Sequence, residues 1–156
     1  SILFVPEGIN NEVNTMIDFI KRNYKANPDI YYTIRFHPVF PKQLINKYKS
    51  LFYDASNVFF SDNTPNEDFS NNTYVIFRGS SITFDAIRAG LIPIYLNKGT
   101  NINILDLFEL FNYGINFDSK LNITHLKNLT LDSDAADKFT NLFYPAKFER
   151  LLNEIS

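Results

Sequence analysis

Six short runs that are apolar at nearly every position set the tightest limit on how this chain can fold. They are "ILFVPEG" (2–8), "IYYTIRFHP" (30–38), "NVFFSD" (57–62), "TYVIFRG" (73–79), "LIPIYLN" (91–97) and "YGINFD" (113–118). A strand that is greasy on both faces belongs in a sheet covered on both sides, which is the habit of parallel sheets. The segments between them carry a helical rhythm. In residues 10–28, Val13, Met16, Ile17, Ile20 and Tyr24 fall on one face, and Asn27-Pro28 closes the segment. Residues 41–54 repeat the pattern through Leu44, Ile45, Tyr48, Leu51 and Phe52, with Pro41 in the first turn. A short helix over "ITFDAIRAG" ends at Gly90, a further one is expected over 101–112, and two more in the tail over 133–144 and 146–155. Strands alternating with helices predict a doubly wound α/β sandwich of five or six mainly parallel strands, one domain over residues 1–156.

Composition narrows the function classes. A formal net charge of −2 gives no basic surface for a phosphate backbone, so nucleic acid is not an expected partner. The absence of cysteine excludes disulfides, thiolate metal sites and cysteine nucleophiles. No apolar run is long enough to span a bilayer. The chain contains no G-x-x-x-x-G-K-[ST] loop, no G-x-G-x-x-G fingerprint, no G-x-S-x-G elbow and no H-E-x-x-H helix. A nucleotide, if bound, would be held by side chains and backbone without a metal or other resident cofactor.

Ligands of open parallel sheets bind beyond the carboxyl ends of the strands. There this chain places Glu7-Gly8, His37-Pro38, Ser61-Asp62, Gly79-Ser80-Ser81 and Asn97-Lys98-Gly99. His37 is one of two histidines, and Pro38 holds it in extended backbone at a strand tip. It suits a donor facing a phosphate, although a histidine there also serves as a local hydrogen-bond partner. Gly79 would let the backbone approach a ligand, and Ser80 and Ser81 fall where a helix begins, where anions are welcome. A serine there is equally an N-cap. Asp85, four residues beyond Ser81, could reach ribose hydroxyls. Arg35 and Arg78 lie near strand ends, able either to clamp phosphate or to pair with surface acids. His125 reads as a surface residue.

"RFHP" (35–38) followed by "FRGSSITFDAIRAGLIPIYL" (77–96) resembles the nucleotide-binding C-terminal half of bacterial GT-B glycosyltransferases with HP and SS motifs. That group includes sialyltransferases, capsule and surface-carbohydrate transferases and the similar CDP-glycerol glycerophosphotransferases. The resemblance implies a Rossmann-like domain forming one half of a GT-B fold. It implies donor phosphate on His37, Gly79, Ser80 and Ser81, with His37 catalytic, and ribose on Asp85. Glu7, Gly8, Arg35 and Arg78 would line the site. The donor would be a CMP-, CDP- or UDP-linked sugar or glycerol phosphate. The acid/base residue and the acceptor site would belong to an N-terminal half absent from this sequence, so this domain alone would be inactive. The location implied is cytoplasmic, peripheral to the inner face of the membrane.

Two rivals share the pattern. One is a non-catalytic nucleotide-binding module or the half of a sugar-nucleotide epimerase. The other is a receiver-type signalling domain, with Asp62 as phosphoacceptor and Ser80 and Lys98 in support; it lacks the acidic pair near the first strand that would hold magnesium.

Overall fold

The computed structural model describes residues 1–97, 115–120 and 122–128. The helices expected over 101–112, 133–144 and 146–155 lie outside those residues, as do Lys98 and Gly99. In chain order the elements are β1 (Ile2–Phe4), α1 (Asn10–Asn23), β2 (Tyr32–Ile34), α2 (Lys42–Ser50), β3 (Val58–Phe60), α3 (Pro65–Asn71), β4 (Tyr74–Phe77), α4 (Ile82–Arg88), β5 (Ile92–Asn97) and β6 (Ile115–Asp118). A 3₁₀ turn follows over Ile123–Asn128.

All six strands pair in parallel, in the order β3-β2-β1-β4-β5-β6. The domain is therefore a Rossmann-like doubly wound sheet. The direction of winding reverses between β1 and β4, and a crevice opens there at the carboxyl ends. This order also disposes of the receiver reading, whose phosphoacceptor strand sits inside a sheet ordered 2-1-3-4-5. Here β3 is an edge strand. Asp62 beyond it has a side chain 91% exposed and pairs with Lys49 at 3.7 Å.

Alternation along the strands divides the core in two. Ile2, Phe4, Tyr32, Ile34, Ile76 and Ile94 face α1 and α2, where Val13, Met16, Ile17 and Ile20 meet them. Leu3, Val5, Val75, Phe77 and Tyr95 face the other way, under Phe69 of α3 and Ala86 and Ile87 of α4. Both faces are covered, as the unbroken apolar strands require. Three buried asparagines tie the loops behind the sheet. The Asn57 amide donates to the carbonyls of Tyr24, Asn27 and Ile30. Asn27 donates back to the Asn23 carbonyl, and Asn23 accepts from the backbone N–H of Ile123.

The helices are shorter than their periodic segments. α1 stops at Asn23, ahead of the Asn-Pro expected to end it, and α2 stops at Ser50 with Pro41 as its N-cap. Leu51 is consequently a C-cap residue and exposed, while Tyr48 and Phe52 are buried. Gly90 does close α4, at φ +94°, where a side chain would be strained. The polar stretch 63–72, which has no helical rhythm in the sequence, contains α3.

Candidate functional site

The loop after β2 builds one wall of the site. His37 to Phe40 form a tight turn in which the Phe40 N–H donates to the His37 carbonyl at 2.9 Å. Pro38 at its second position supplies the φ the turn needs. Phe40 is buried and stacks on Phe36 at 5.3 Å, and Phe36 stacks in turn on Tyr48 and Phe60. An aromatic base therefore holds the turn on the sheet and leaves His37 exposed above it. The Val39 N–H donates to His37 Nδ1 at 3.3 Å. In the neutral ring this places the proton on Nε2, which becomes a donor.

The loop after β4 builds the other wall. Ser80 is 6% exposed, and Ser81 precedes the first residue of α4 with helical dihedrals, φ −66° and ψ −23°. An N-cap needs extended backbone so that its side chain can reach back. Ser81 makes no such bond. Neither serine hydroxyl makes a hydrogen bond among the described residues, so the capping role open to a serine at this point is not the one realised.

Between these walls lies a cleft of about 150 Å³, over the crossover between β1 and β4. Pro6 from the end of β1, Arg35, His37 and Pro38 from β2, and Ser80 and Ser81 from β4 line it. Two motifs some forty residues apart, His37-Pro38 and Ser80-Ser81, thus share one cavity. The cleft offers an imidazole N–H, two free hydroxyls and a guanidinium, all groups that donate to an anionic oxygen.

Other residues singled out in the sequence sit differently. Asp85 is not in this cleft; it lines a separate groove of about 550 Å³ with Pro65, Asn66, Phe69 and Arg88. One helical turn carries it past the site toward α3, so the ribose contact expected of it has no support here. Gly79 does not open to a ligand either. A Cβ there would come within 2.7 Å of the Glu7 Cδ, so the carboxylate of Glu7 fills the space the glycine leaves. Gly8 makes room for the histidine turn rather than for a donor, since a Cβ would lie 2.9 Å from the Val39 side chain and 3.6 Å from His37 Nδ1.

Arg78 is withdrawn from the site altogether. Its guanidinium is buried, pairs with Glu12 in the first turn of α1, donates to the Leu96 carbonyl and lies 5.8 Å from the Tyr95 ring. It stitches β4, β5 and α1 together. Among the described residues no cluster of His, Asp and Glu could hold a metal ion, and no helix is long and apolar enough to cross a membrane.

Sequence reasoning missed Asp68. It lies in α3, where both of its oxygens accept from the Ser61 hydroxyl at 2.7 Å and one accepts from Arg35 at 2.8 Å. The signal for the helix was present: Thr64, Pro65 and Glu67 form a capping box with proline at the first helical position.

No family model matches the chain, and no curated protein does. Solved structures do share its fold. The glycosyltransferase SnogD from Streptomyces nogalater superposes with a TM-score of 0.60 at 13% identity, over 99% of this chain and 43% of that one. UDP-GlcNAc 2-epimerase from Neisseria meningitidis, bound to UDP-GlcNAc, gives 0.54 at 15% identity, over 98% of this chain and 38% of that one. The chain thus spans less than half the length of either protein.

Proposed function

We propose that this chain is the donor-nucleotide-binding half of a glycosyltransferase. In this reading it transfers a sugar or glycerol phosphate from a nucleotide-linked donor, as in surface-carbohydrate synthesis. The observation that carries the proposal is the shared cleft of His37, Ser80 and Ser81 at the sheet's crossover, with the serine hydroxyls free of any cap. His37 donates from Nε2 to a phosphate oxygen of the donor. As the glycosidic bond to the nucleotide breaks, negative charge gathers on that phosphate, and a donor already aimed at it stabilises the departing group. Ser80 and Ser81 hold the same phosphate from the opposite wall. No resident metal takes part; acceptor and general base come from another domain. The likeness to a UDP-GlcNAc epimerase supports a second reading, in which the same cleft holds a UDP-linked sugar that is rearranged instead of transferred.

The test is titration of the chain with CMP, CDP, UDP and GDP, followed by NMR shifts, for the wild type, His37→Ala and Ser80→Ala. One base is expected to bind best, and both substitutions to weaken it without loss of fold. Equal binding by all three proteins would remove the proposal.

A further inference from the structure

Arg35 lines the cleft beside His37, and one edge of its guanidinium is already fastened. Its Nη1 donates to Asp68 Oδ2 at 2.8 Å and to the Asn63 carbonyl at 2.7 Å, which takes both N–H groups of that nitrogen. Nε and Nη2 make no hydrogen bond among the described residues. Three of the five guanidinium donors are therefore unused, and two of them, the Nε–H and one N–H of Nη2, form an edge that can meet a phosphate in a bidentate contact.

The fastening is built rather than incidental. Asp68 is 1% exposed, and a buried carboxylate persists only where cation and hydrogen bonds replace water. Arg35 is its one cationic partner among the described residues, and Ser61 and Asn63 supply the remaining hydrogen bonds. The Thr64–Glu67 capping box anchors the start of α3 one residue before Asp68. The carboxylate is thus a fixed post to which a flexible arginine is tied. An unfastened Arg35 would sample several rotamers and lose side-chain entropy on meeting a ligand.

We infer that Asp68 is a positioning residue: without touching the ligand, it holds Arg35 as a preset fork for the donor's phosphate in the His37–Ser80 cleft. The inference rests on the donor-site reading above. Arg35 is the residue in contact with phosphate, and Asp68 acts only through it.

The experiment titrates the chain with inorganic pyrophosphate, CMP and UDP, in the wild type, Arg35→Lys, Asp68→Asn and the double variant, with thermal unfolding followed in each. Lysine at 35 keeps a cation for Asp68 but has no fork. Each single variant is expected to bind about tenfold more weakly, the loss of roughly one charge-assisted hydrogen bond. The double variant is expected to bind no more weakly than Arg35→Lys alone, because the second change acts through the first. If Asp68→Asn does not fold, Ser61→Ala replaces it, loosening the carboxylate without touching Arg35. A purely structural ion pair would lower the unfolding temperature and leave the folded protein's affinity unchanged, which would overturn the inference. Should the wild type bind and His37→Ala weaken it while neither Arg35→Lys nor the Asp68 variant does, this inference alone falls. Absence of wild-type binding to all three probes overturns the donor-site reading and this inference with it.

Discussion

The backbone N–H of Val39 donates to the Nδ1 of His37, two residues before it. One ring nitrogen thereby belongs to the turn and the other to the cleft. The two duties can be separated by substitution. Asparagine places an oxygen near the position of Nδ1 but has nothing at Nε2, whereas alanine removes both. His37→Asn is expected to unfold within about 0.5 kcal/mol of the wild type, and His37→Ala to lose about 1 kcal/mol, one local hydrogen bond. Both are expected to bind nucleotide about tenfold more weakly. Urea titration and NMR titration of the same two proteins check this; full binding by His37→Asn would return the histidine to a purely structural role.

Gly79 and Glu7 form a second coupled pair. The backbone of Gly79 is not in the left-handed region, so alanine suits its dihedrals and clashes only with the Glu7 carboxylate. That carboxylate is the end of a flexible side chain and can swing aside. Gly79→Ala is therefore expected to cost no more than about 1 kcal/mol in the wild type. In a Glu7→Ala background the same change should be neutral or stabilising by about 0.5 kcal/mol, because alanine narrows the unfolded ensemble. Urea midpoints for the four proteins of the cycle give the coupling directly. An equal cost in both backgrounds would mean that the glycine is needed for something other than Glu7.

How much of this could be read in advance follows from the range of each interaction. The unbroken apolar strands demanded a covered parallel sheet, and local proline and serine signals placed His37-Pro38 and Ser80-Ser81 at its carboxyl edge. Strand order was not legible, since periodicity reports faces and not neighbours; with it went the test between a receiver and a Rossmann-like sheet. The surroundings of residues whose roles depend on distant partners were not legible. Arg78 is buried because Glu12 lies 66 positions back, and Gly79 is closed because Glu7 folds over it. Asp85 shows the limit of helical spacing, which places two residues on a common face without saying what that face meets. α3 escaped notice for another reason: Phe69 is its only apolar anchor in the core. Its capping box and proline were clear in the sequence, but a helix with one buried apolar side chain has almost no amphipathic signal.

The Arg78–Glu12 pair leads to a prediction opposite to that for Arg35. Both partners are largely withdrawn from water, so removing the cation strands a carboxylate in the first turn of α1. Arg78→Met is expected to cost about 3 kcal/mol by urea denaturation, and the Arg78→Met, Glu12→Leu double variant to recover much of that loss. Nucleotide affinity of the folded fraction should stay within about twofold of the wild type, less than one weak hydrogen bond is worth. A large affinity loss with stability intact would put Arg78 back in the site.

Tyr32 supplies the pH-dependent prediction. Its side chain is fully buried, stacked on Phe4, and its hydroxyl has no hydrogen-bond partner among the described residues. Burial disfavours the phenolate and pushes the group from an ordinary value of 10 up to about 12. The folded state then holds its proton where the unfolded chain has released it, so the stabilisation is complete below pH 10 and is lost as pH rises toward 12. Across that window the wild type should lose roughly 2 to 3 kcal/mol through this one group. Tyr32→Phe has no proton to release and leaves no orphaned hydroxyl in the core. It is expected to be about 1 kcal/mol more stable than wild type at pH 8 and to show a shallower alkaline decline. Some slope should persist, because burial and the charge of Asp18 also raise the Tyr48 phenol. Urea midpoints at pH 8, 10 and 11.5 for both proteins measure the difference. Parallel curves would mean that the hydroxyl reaches water in solution.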